Sequence, residues 1–199
     1  MSGLFPSPIT FLPVDLHRWD RGPGGDVLVV PIWSDVRPLR GAAGLLDWRL
    51  CGKISQMIRE GRVSGSAGEK LLLVTGRVPW RRILGIGAGP SDAFGDGACR
   101  ATLECALAAA RGIGAESMAI AIPGRDLDLV KPDPAVRCLI ELVEKSTRTD
   151  GRWLRQLTII DAPQATKTMG ESSREAAAAQ VTPETIERVG CTGPGSGDG

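Results

Sequence analysis

Apolar positions along the chain gather in short continuous runs. Ile9 to Leu16, Asp26 to Trp33, Lys70 to Thr75, Arg82 to Ile86, Ser117 to Ile122 and Leu154 to Asp161 each read as a strand. Several of these runs lack a polar face, as expected of strands covered on both sides. Pro13 cannot donate to a ladder, which places the first run at an edge or a bend. Between the third and fourth runs stands only Gly76-Arg77-Val78-Pro79-Trp80. A connection that short predicts an antiparallel hairpin.

Helical periodicity fills the gaps. Ala42 to Glu60 reads as one long helix, with Ala43, Leu46, Leu50, Ile54, Met57 and Ile58 on one stripe. Asp96 to Arg111 is rich in small residues. At ~100° per residue, its Arg100, Glu104 and Arg111 fall within ~40° of one another, so most of its circumference should be buried. A third helix runs from Asp133 to Lys145, with Asp133 as N-cap and Pro134 at N1. Strands alternating with helices, plus one hairpin, predict a mixed sheet between helical layers: a three-layer α/β/α sandwich. The domain is expected over residues 1–161, with its core at 26–161. Residues 162–199 lose strand character and end Gly193-Pro-Gly-Ser-Gly-Asp-Gly199. They are expected to form a flexible C-terminal tail with one short helix at 183–189.

Charge and cysteine usage narrow the partners. The 199 residues carry 24 Lys plus Arg against 23 Asp plus Glu, a net charge of +1. No long-range field draws nucleic acid or an anionic membrane, and neither is expected as a partner. The longest apolar stretch, Val27 to Trp33, is too short to span a bilayer. The start, MSGLFPSPITF, has no basic n-region of a secretory signal. Five cysteines without a CxxC pair fit reduced thiols, so a cytoplasmic location is expected. Cys51, Cys99, Cys105 and Cys138 fall on predicted helices and read as small buried hydrophobes.

Residues able to do chemistry are few. There is one histidine and no tyrosine. His17 is either a lone general base oriented by Asp15 or Asp20, or a solvated side chain near a terminus. HExxH, GxSxG and zinc-spaced Cys/His patterns are absent. Gly52-Lys53-Ile54-Ser55 falls short of a P-loop, because Asp47 replaces the first glycine and Ile54 the Ser or Thr. No catalytic residue, metal or cofactor is expected from these patterns.

Two glycine segments offer a binding reading. Gly85-Ile-Gly87-Ala-Gly89-Pro90 follows a buried strand and precedes a helix, where exposed amides could cradle a phosphate. The same pattern suits a tight strand-to-helix turn. Gly41-Ala-Ala-Gly44 opens the first long helix and reads as a second phosphate loop or as close helix-to-sheet packing. Arg77, Arg81 and Arg82 surround Trp80 at the hairpin, and Trp48 lies at the polar edge of the first helix. Exposed aromatic and arginine side chains are typical interface anchors, which makes Trp80, Arg81 and Arg77 a candidate protein contact. Alternatively, Trp80 folds back onto its own sheet as a plug.

Read in order, Asp26-Val-Leu-Val-Val-Pro31, Gly44-Leu-Leu-Asp47, Cys51-Gly52, Ile54, Glu60-Gly61, Gly65, Gly68-Glu69-Lys70-Leu-Leu-Leu73 and Arg82-Ile-Leu-Gly-Ile-Gly87 carry a family likeness. Together they resemble the amino-terminal domain of cytosolic leucyl aminopeptidases, over about residues 26–161. The resemblance implies a macro-type fold and a role in oligomer assembly. In that family a larger carboxy-terminal domain holds two metal ions and the peptidase residues. This sequence stops at Gly199, so none of those residues can be carried over. Macro domains that bind ADP-ribose typically have an Asn-rich segment after the first core strand. Here Pro31-Ile32-Trp33-Ser34 stands instead, and the chain has no asparagine. Trp33 and Leu39 are expected to crowd a nucleotide pocket. The leading expectation is a stand-alone, non-catalytic binding or assembly module whose partner is a second copy or another protein. The alternatives are ADP-ribose or another phosphate-containing small molecule at Gly85, Gly87 and Gly89, and a subunit or fragment of an aminopeptidase with a separate catalytic chain.

Overall fold

The computed structural model describes residues 9–161. The apolar runs become the strands β1 (Ile9–Pro13), β2 (Gly25–Trp33), β3 (Lys70–Val74), β4 (Trp80–Gly89), β5 (Ser117–Ala121) and β6 (Gln156–Asp161). They form one sheet in the order β1-β6-β5-β2-β4-β3. Every neighbouring pair is parallel except β3 with β4, which are antiparallel as the short connection predicts. β1, with Pro13 at its end, is an edge strand.

The helices are α1 (Leu16–Asp20), α2 (Gly41–Arg49), α3 (Lys53–Arg59), α4 (Asp96–Gly112) and α5 (Pro132–Asp150). Alternation along β2 sends Val27 and Val29 to one core and Leu28 and Val30 to the other. Leu103, Leu107, Leu139 and Val143 of α4 and α5 fill the first. Leu46, Ile54, Met57 and Trp19, from α1, α2 and α3, fill the second. Two buried faces explain why the strands read as continuously apolar. The result is a three-layer sandwich around a mixed sheet.

The structure corrects several expectations. The long helix expected over Ala42 to Glu60 is broken into α2 and α3. Cys51 and Gly52 turn left-handed there, with φ of 56° and 76°, and the Gly52 N–H closes on the Asp47 carbonyl at 2.8 Å. Asp47 then caps the second piece, its Oδ1 accepting from the N–H groups of Ile54 (2.7 Å) and Ser55 (3.1 Å). Cys51 therefore lies exposed in a turn, not buried on a helix. β4 extends through the glycine segment to Gly89, so Gly85, Gly87 and Gly89 belong to a strand and not to a loop. α5 begins at Pro132 with Lys131 as N-cap, two residues earlier than expected. His17 sits exposed on α1, whose N-cap is Asp15. The expected tail over 162–199, with its helix at 183–189, lies outside the described residues.

Candidate functional site

Parallel strands open a crevice beyond their carboxyl ends, where successive connections leave in opposite directions. In this sheet that point lies between β2 and β5: the chain after β2 crosses one face through α2 and α3, and the chain after β5 crosses the other through α5. A cleft of about 280 Å³ occurs there, bounded by Pro31 of β2, Gly41 of α2, Ala121 of β5 and Asp161 of β6, with Arg125, Asp126 and Asp128 from the connection after β5.

The polar lining is largely bound to itself. Arg125 is nearly buried and donates from Nε to Asp161 Oδ2 at 2.9 Å and from Nη1 to the Val130 carbonyl at 2.7 Å. Asp126 Oδ2 accepts the Trp33 indole N–H at 2.8 Å. The Trp33 ring is held in turn by an edge contact with Phe94, centroids 4.7 Å apart. Burial pushes the Asp126 carboxyl above the ordinary carboxylate range, against the pull of the Trp33 N–H and the Arg125 charge. Its second oxygen, Oδ1, is buried and has no hydrogen-bond partner in the structure. Gly41 has φ of 54°, and a Cβ there would come within 2.6 Å of the Asp126 Cβ. The side chain of Asp126 thus occupies the gap between the start of α2 and the connection after β5. Three carboxylates and one guanidinium, the latter committed to Asp161, therefore line the cleft.

The residues singled out from sequence are dispersed. Gly87 donates its N–H to the Glu69 carbonyl (2.8 Å) and Gly89 donates to Gly65 (2.9 Å). A Cβ on Gly87 would meet the Ser66 carbonyl oxygen at 1.9 Å, so glycine serves close packing of the 64–69 segment against β4. Gly85 pairs with Leu71 on one side and Val30 on the other. These amides are not an open cradle, a correction to the phosphate-loop reading. Gly41 does line the cleft, whereas Gly44 lines a different hollow beside Trp48.

Trp80 is 1% exposed and packs edge-on against Trp19, ring centroids 5.9 Å apart. Of the two readings, the plug is the one the structure adopts, because Trp80 opens β4 beneath α1 and its ring completes the second core. The arginines radiate apart. Arg77 reaches the Cys51 Sγ at 2.8 Å, Arg81 stands 3.8 Å from Asp26, and Arg82 donates to the Ile113 carbonyl. Trp33 and Leu39 are core residues and do not line the cleft. Sequence reasoning missed Arg125, Asp126 and Asp161. The available signal was Gly124-Arg125-Asp126-Leu127-Asp128, charge and glycine placed directly after a buried strand. Among the described residues no group of three His, Cys, Asp or Glu could hold a metal ion. No helix among them is long and apolar enough to cross a membrane.

Comparison with known proteins agrees with this architecture. The sequence model of the cytosol aminopeptidase family's N-terminal domain matches residues 29–143. A probable cytosol aminopeptidase of Alkaliphilus metalliredigens is 33% identical over 96 residues, 48% of this chain and 19% of that protein. One from Pseudomonas syringae pv. syringae is 28% identical over 145 residues, 67% of this chain and 29% of that protein. The chain thus spans less than a third of the length of these relatives. Among solved structures, a Trypanosoma brucei macrodomain in complex with ADP-ribose superposes with a TM-score of 0.62 at 20% identity, covering 83% of this chain and 77% of that one. That likeness establishes a macrodomain fold. By the match over its central 115 residues, 29–143, the chain belongs to the cytosol aminopeptidase family as its N-terminal domain.

Proposed function

We propose that the chain is a non-catalytic, macro-like module that works through protein contacts within an aminopeptidase-type assembly and does not hold ADP-ribose. The observation that supports this most is the Asp126 side chain, which fills the space between the start of α2 and the connection after β5. A ligand diphosphate would have to displace that carboxyl and face Asp128 and Asp161 as well. His17, the single histidine, is exposed on α1, away from the cleft lining. The names of the relatives favour a cytoplasmic setting and a role beside a peptidase, in the same chain or a separate one.

A second reading keeps a phosphate-containing ligand, because a macrodomain neighbour is solved with ADP-ribose. The two readings separate in solution. Sedimentation velocity of the purified chain, across a hundredfold concentration range, should show self-association or a stoichiometric co-purifying protein. A monomer at every concentration with no bound protein would contradict the assembly reading.

A further inference from the structure

The α1–α3 face carries an unusual exposed side chain. Trp48 is 72% exposed and is the only exposed aromatic among the described residues. It forms part of the wall of two neighbouring hollows. One, of about 680 Å³, includes Pro38, Leu39 and Gly52; the other, of about 430 Å³, includes Leu16 and Leu45. A single occupant crossing the indole would touch both.

Charge decides what that occupant is. Arg40, Lys53 and Arg77 adjoin residues of the larger hollow, all three are exposed, and none has a carboxylate partner among the described residues. The acids nearby are already committed. Asp47 is turned inward to cap α3, Asp20 binds Arg49, and Asp15, which lines the smaller hollow beside Asp20, caps α1. An apolar floor with a cationic rim is complementary to a segment that carries acidic side chains around an apolar anchor. Nucleic acid is also anionic, but it binds through several stacked aromatics along a basic track, and here one aromatic stands alone.

We infer that the face around Trp48 docks an acidic protein segment, with an apolar side chain in the Pro38–Leu39 hollow and carboxylates on Arg40, Lys53 and Arg77. This rests on the reading of the chain as a protein-contact module, and names the chemistry of its partner. A fluorescein-labelled peptide of alternating Glu and Leu, followed by anisotropy, tests it. Saturable binding is expected that weakens with added salt, falls at least about tenfold in Trp48→Ala, and falls comparably in the Arg40→Glu, Lys53→Glu double variant. Circular dichroism checks that each variant is folded. Three results would overturn the inference: no binding up to about 1 mM peptide, equal binding of a Lys/Leu peptide, or tighter binding of an oligothymidylate of the same length. None of them bears on self-association, which sedimentation reads separately.

Discussion

Glu69 shows how much one side chain organises. Its Oε2 accepts the N–H groups of Ser64 (2.9 Å) and Gly65 (2.7 Å) and the Ser64 hydroxyl (2.9 Å). These bonds fold the 64–69 segment so that its backbone can reach Gly87 and Gly89 of β4. Burial raises the Glu69 pKa, but the donors of Ser64, Gly65 and Ser66 outweigh it and hold the carboxyl below its ordinary range. A lowered folded pKa gives stability that is present above the unfolded value and is lost as pH falls through the folded one. Glu69→Gln is therefore expected to cost about 1–2 kcal/mol near neutral pH, by loss of charge-assisted bonds. The difference should narrow as pH drops below about 4. Urea unfolding of both proteins at pH 7 and pH 3 measures this, and an undiminished gap at pH 3 would assign the cost to shape and not to charge. Trp80 is a second residue with one job. Buried against Trp19, its replacement by Ala should cost about 3–5 kcal/mol, read as a fall in melting temperature and not as a loss of association.

At the scale of elements, α4 divides cleanly into wet and dry. Leu103 is fully buried and Leu107 nearly so, while Arg100 makes only exposed pairs with Glu104 (3.6 Å) and Glu141 (3.4 Å). Leu103→Ala should destabilise by about 2–5 kcal/mol and Arg100→Ala by under about 1 kcal/mol. Denaturant midpoints in the reverse order would contradict the packing of α4 onto the sheet. This helix, the six strands and the β3–β4 hairpin were legible in the sequence, because burial imposes a period that residues such as Leu103 and Arg100 report directly. What was not legible depends on specific bonds that hydrophobic periodicity does not report. The break at Cys51 and Gly52 follows from Asp47 reaching forward to cap α3, a bond no local pattern announces. The glycines of β4 look like a loop until the 64–69 segment is seen lying on them. Asp126 becomes part of a site only because Trp33, 93 positions away in sequence, donates to it.

On the scale of the whole molecule, a macro-type sandwich has kept a small crevice whose polar lining is bonded largely to itself. Trp33 fixes Asp126, Asp126 packs against Gly41, and Arg125 is tied to Asp161 and the Val130 carbonyl. The exposed chemistry lies elsewhere, on the α1–α3 face with Trp48 and its cations. The proposed assembly role depends on this division of surface, with a small crevice whose lining is bonded largely to itself and, elsewhere, an exposed indole with its cations. Calorimetric titration of ADP-ribose into the purified chain examines that division most directly. The account predicts no heat of binding up to about 1 mM ligand and no rise in melting temperature. A saturable one-to-one isotherm in the micromolar range, with the stabilisation of about 2.7 kcal/mol expected at a hundredfold excess over Kd, would contradict it.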